Sequence, residues 1–87
     1  MEVVKGQIVH SRQGRDVTKA YVAMGREGDR LLLCDGAKWT LNAPKRKNPL
    51  HCAPTATRLP EADTETDLTI KRALKLYQRR GQETKGG

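Results

Sequence analysis

Three adjacent cations, Lys45, Arg46 and Lys47, stand between Pro44 and Pro49, and no acid between Asp35 and Glu61 neutralises them along the chain. Cations at this density are phosphate ligands. Lysine acts as a point charge and arginine as a bidentate fork. Each proline disfavours helix at the residue before it, Ala43 and Asn48, so the segment is expected to be extended or turned, with its cations splayed outward. A second group, Arg12, Arg15 and Lys19, surrounds a polar, glycine-containing stretch that reads as a loop. Lys38 falls between the two groups and can bridge them. Asn48 and His51 carry the donors and acceptors that read a base edge or a 2′-hydroxyl. Trp39 is the one candidate stacking platform, with core packing as its other role.

Other chemistries find less support. There is no Gly-x-Gly-x-x-Gly, no phosphate loop ending in Gly-Lys-Ser/Thr and no His-Glu-x-x-His. Glu27, Asp29 and Asp35 fall in turns, where acids are common without a catalytic role. His51 and Cys52 are neighbours, and neighbours in a strand point to opposite faces. His10, Cys34, His51 and Cys52 are metal-ligand types without the close paired spacing of a structural zinc site, so the cysteines read as small buried hydrophobes. No catalytic residue, metal, cofactor or small-molecule substrate is expected. Two cysteines without Cys-x-x-Cys spacing suit free thiols in a cytoplasmic protein, with a single disulfide as the alternative. No apolar run has signal-peptide or bilayer-spanning length, so no membrane partner is expected.

The elements that must position these cations follow from periodicity. The 87-residue chain carries a net charge of +7, has no Phe and is only 3% aromatic, so its core is thin and aliphatic. Residues 1–59 hold 11 Lys/Arg against 5 Asp/Glu and residues 60–87 hold 6 against 5, which places the excess on the first part. Strands are expected over 3–11, 19–24, 30–34, 37–41 and 50–53, with Asp35-Gly36 as a hairpin signal between the third and fourth. Short strands at this spacing suggest a small all-β barrel, whose closure removes exposed edges. From about 66 to 80 the period becomes helical. Ile70, Ala73, Leu74 and Tyr77 form one apolar stripe, while Lys71, Arg72, Lys75, Arg79 and Leu68 fall opposite. Thr64 and Asp67 fit a capping box, and Gly81 is a natural stop. The expected organisation is a barrel over 1–59, a linker and helix packed on it over 60–81, and a disordered tail over 82–87.

The run Lys5-Gly6-Gln7-Ile8-Val9, followed by Gly14-Arg15-Asp16 and then Lys19-Ala20-Tyr21-Val22, resembles the KOW motif. Leu33-Cys34-Asp35-Gly36 and residues 45–55 look like the rest of such a domain. The likeness covers about residues 3–58 and is to KOW-containing large-subunit ribosomal proteins of archaea and eukaryotes and their small bacterial relatives. It implies a small SH3-like β-barrel, here with a C-terminal α-helix, that binds RNA, often ribosomal RNA, through its loops. Gly14, Arg15, Asp16 and Lys19 match the motif loop, Gly14 and Asp16 as structuring residues. Lys45, Arg46, Lys47 and His51 match the basic end before the last strand. Thr18 stands where the family often has glycine. The expected function is a non-catalytic module binding the phosphate backbone of structured RNA through two basic loops. The alternative is a protein-interaction module using the barrel and the helix, and DNA binding by the same basic face is a third reading. The low aromatic content argues against proline-peptide grooves and single-strand stacking.

Overall fold

The computed structural model describes residues 3–12 and 19–86. Five strands, β1 (Gln7–Ser11), β2 (Ala20–Glu27), β3 (Arg30–Cys34), β4 (Lys45–Lys47) and β5 (Cys52–Arg58), form one antiparallel sheet in the order β4-β3-β2-β1-β5. Helix α1 (Asp67–Gly86) follows and continues past Gly81. The central strands are apolar at successive positions, so both faces of the sheet bury side chains. Ile8, Ala20, Val22 and Cys34 point to one face and meet Ile70 and Leu74 of α1. Val9, Tyr21, Ala23, Leu31, Leu33 and Cys52 point to the other, where Val3 and Trp39 pack against them.

The expected SH3-like barrel is not formed. β4 and β5 are the two edges of the sheet and do not pair with each other. β4 pairs with β3 over three residues and then ends. The Asn48 side chain accepts a hydrogen bond from Leu50 N (3.0 Å) and caps a 3₁₀ turn over Pro49–His51. That turn sends the chain into β5, which pairs along β1 from Ser11↔Cys52 to Gln7↔Arg58. Residues 48–51, partly in a 3₁₀ turn, span about 13 Å, whereas the edges of a flat five-stranded sheet lie about 19 Å apart. The sheet therefore curls without closing, helped by register shifts at Gln7/Val9 and Ala23/Gly25. The curl buries the second apolar face, which no helix covers among the described residues.

The expected fourth strand over 37–41 is a loop. Asp35 Oδ1 accepts from both Ala37 N and Trp39 N at 2.9 Å, and Asp67 Oδ1 accepts from Leu41 N at 2.9 Å. Alternate amides that a strand would offer to one neighbour are taken by two carboxylates, so no ladder forms. The same contact docks the start of α1. Thr66 and Thr69 cap the helix reciprocally, Thr69 N donating to Thr66 Oγ1 (3.1 Å) and Thr66 N to Thr69 Oγ1 (3.2 Å). Thr64, the cap expected from spacing, is instead buried and donates to the Glu61 carbonyl (2.8 Å). Further along, His10 Nε2 lies 3.2 Å from the Tyr77 hydroxyl and ties α1 to β1.

Gly36 makes this docking close. Its φ is +79°, a Cβ there would overlap the Asp67 carbonyl oxygen, and the Lys71 nitrogen would lie 2.8 Å away. Gly28 has φ +61° with open space around it. Gly36→Ala is expected to lower the free energy of unfolding by about 2–4 kcal/mol, combining left-handed strain with overpacking. Gly28→Ala should cost only about 1–2 kcal/mol. Urea unfolding of the two variants checks the difference; equal losses would show that the helix does not rest on Gly36.

Candidate nucleic-acid interface

The basic run is not a loop but the edge strand β4, and the pleat separates its three cations. Lys45 pairs with Leu33 and Lys47 with Leu31, both of the curled face, whereas Arg46 pairs with Leu32 and points the other way. Lys45 Nζ lies 5.3 Å from the Tyr21 ring and 5.4 Å from the Trp39 ring. Lys38 Nζ lies 5.5 Å from the same Trp39 ring. Two ammonium groups thus flank the chain's single tryptophan, attracted by the negative face of the indole. Across β2 and β3, Arg26 pairs with Leu31, which pairs with Lys47, so Arg26 and Lys47 share a row.

Arg46 is neutralised by a residue distant in sequence. Its Nε lies 2.9 Å from Glu27 Oε1 and its Nη2 donates to Glu27 Oε2 at 3.3 Å. This two-point pair occupies the fork that would hold a phosphate.

The remaining expected site residues divide by what they already do. The Asn48 side-chain oxygen Oδ1 is committed to capping Leu50 N. His51 accepts from Arg12 N at 2.8 Å through its backbone, which sets Arg12 beside the link between β4 and β5. Lys19, before β2, is exposed, and its carbonyl accepts from Ser11 N (3.3 Å). Gly14, Arg15 and Asp16, the motif loop, lie outside the described residues. The structure therefore brings Lys38, Lys45 and Lys47 to one side of the sheet and turns Arg46 to the other. Sequence reasoning missed Arg26 because it sits in what reads as a turn. The register shift between Ala23 and Gly25, hinted at by the glycine alone, accompanies a β2 that runs three residues further, to Glu27, and aligns Arg26 with Leu31.

Cys52 lies on the same face as Lys45 and Lys47. Burial raises the Cys52 thiol above its usual value, and Lys47 and Lys45 pull it part of the way back, so both ammonium groups lie near it. Cys34 and Cys52 are free and sit in opposite clusters on the two faces of the sheet. Burial, then the charges of Asp67 and Asp35, pushes the Cys34 thiol from 9.0 up to about 11, and it donates to the Thr40 carbonyl at 3.3 Å. Among the described residues no group of three His, Cys, Asp or Glu could hold a metal ion, and no helix is long and apolar enough to cross a membrane. A cavity of about 540 Å³ lies elsewhere, between Lys5, Arg58 and Glu61.

Comparison of the chain with protein-family models and with curated proteins finds no match.

The raised Cys34 value makes stability depend on pH. Between pH 9 and 11 the unfolded thiol has lost its proton while the folded one keeps it. The contribution is fully present below pH 9 and is lost as pH rises toward 11. Wild type is expected to lose about 2–3 kcal/mol over that window relative to Cys34→Ala. Chemical denaturation at each pH checks this; parallel pH profiles for the two proteins would contradict it.

Proposed function

We propose that this chain is a non-catalytic RNA-binding module that grips the phosphate backbone of structured RNA. The observation that carries the reading is the placement of Lys45 and Lys38 about one tryptophan ring, with Lys47 and Arg26 in an adjoining row on the same side of the sheet. A phosphate arriving here meets several ammonium and guanidinium groups. It draws Lys38 and Lys45 off the indole, leaving the ring free to contact a sugar or base. The motif likeness over residues 5–22 supports RNA as the nucleic acid. The scarcity of aromatic residues supports recognition by shape and backbone.

The three cations of the basic run are expected to contribute unequally. Binding of a labelled RNA hairpin, with a stem of about 16 base pairs, is measured by anisotropy across a salt series. Wild type should show a steep loss of affinity with salt. Lys45→Gln with Lys47→Gln should flatten the log–log slope by about 1.5–2 units. Arg46→Gln should change it little, because Glu27 already holds that charge. Trp39 fluorescence, unambiguous in a chain with one tryptophan, should change on titration with RNA. An Arg46 variant that flattens the slope as much as the double lysine variant would overturn the assignment, and tighter binding to the matching DNA duplex would overturn the choice of RNA.

A further inference from the structure

We infer that the RNA path does not end at β4 but crosses the Trp39 loop onto helix α1, where Lys71, Lys75 and Arg79 hold a second stretch of phosphate backbone. The inference rests on the RNA-binding reading above and extends its surface.

Helix α1 packs on the sheet face opposite to that of Lys45 and Lys47, and the Trp39 loop is what joins the two. Lys45 reaches the Trp39 ring from the sheet edge, and Lys38 reaches the same ring from the loop. The loop that carries them is pressed against the helix, since a Cβ on Gly36 would stand 3.0 Å from Lys71 Cβ and Leu41 N is bound by Asp67. Lys71 therefore begins where the loop ends. Lys75 and Arg79 follow at i+4 and i+8, each about 6 Å further along the axis. At 100° per residue they drift from the loop side toward the outer face, away from the buried Ile70 and Leu74. All three are exposed, and none is in an ion pair among the described residues. The acid of the first helical turn, Asp67, spends its carboxylate on the loop. The exposed Leu76 falls on the side of the helix away from the loop. The flank next to the loop carries Lys71, Lys75 and Arg79, with the exposed Leu68 as its one large apolar side chain, about a turn ahead of Lys71; the charge of the three cations fits a phosphate backbone.

The test uses the full chain and the same labelled RNA hairpin. Replacing Lys71, Lys75 and Arg79 together by Gln should flatten the log–log salt slope by about 2–3 units. These exposed helix positions should leave helix content and the unfolding midpoint near wild type. Lys71→Arg, Lys75→Arg and Arg79→Lys together should restore the slope. An unchanged slope in the Gln variant, while the β4 double variant still loses slope, would overturn this inference and leave the RNA-binding reading standing. Absence of RNA binding by wild type would sink that reading itself. Binding to phosphatidylserine vesicles that disappears in the Gln variant, with the RNA slope unmoved, would assign the helix face to anionic lipid and equally overturn the proposal.

Discussion

Three backbone N–H groups decide the shape of this molecule. Ala37, Trp39 and Leu41 would be the donors of a fourth strand, and all three are held by carboxylates, two on Asp35 and one on Asp67. A hydrogen bond to an ionised acceptor is roughly twice as strong as one to a neutral carbonyl, so the segment is fixed as a loop. The sheet is left with a three-residue edge strand instead of a long hairpin partner. The Asp67 bond also fixes where α1 starts, directly over Gly36. The amide of Trp39 is pinned within the same loop, which places the indole where ammonium groups from two elements reach it.

An open sheet has edges, and β4 shows how one of them is managed. A run of Lys, Arg and Lys resists pairing with another chain, because docking a second strand would crowd cations together. That role explains β4 but not Lys38, which lies off the edge, nor Lys45, which leans inward over Tyr21 and Trp39. Side by side in sequence, the three cations do separate work. Lys45 caps an aromatic cluster at the opening of the curl, Arg46 closes a pair with Glu27 on the opposite face, and Lys47 lies in the row of Leu31 and Arg26. A cluster in the sequence is thus not a cluster on the surface, because the strand period of two alternates its members.

What could be read from sequence was governed by the range of the deciding interaction. Residues 30–34 are β3 as the apolar run suggests, and Ile70 and Leu74 are buried as the helical stripe suggests, since both patterns are local and dominated by burial. The strand expected after Asp35-Gly36 failed partly for a local reason, since Asp35 takes the amides of Ala37 and Trp39, and partly for a distant one, since Asp67, which takes that of Leu41, is 26 residues away. Barrel closure failed for a related reason. Strand spacing is legible, but the 3₁₀ turn that Asn48 caps, and that sends β5 along β1, is a three-residue event inside a stretch that reads as strand. The Arg46–Glu27 pair also joins residues far apart in the chain. The cations Lys38, Lys45 and Lys47 were legible as a set; the tryptophan between two of them was legible only as a candidate.

The helix shows the same limit in its charge. Residues 60–87 are nearly balanced, with 6 Lys/Arg against 5 Asp/Glu, and so look inert toward a polyanion. Folding gives two of the acids other partners or surroundings. Asp67 turns its carboxylate to an amide of the loop, and Glu61 lines the cavity that Lys5 and Arg58 also border. Lys71, Lys75 and Arg79 instead progress along one flank of α1. A phosphate within a Debye length, about 8–10 Å, responds to the charges on the surface it faces and not to the sum over a segment. Along that flank three exposed cations follow one another, although the tally for the segment is close to zero.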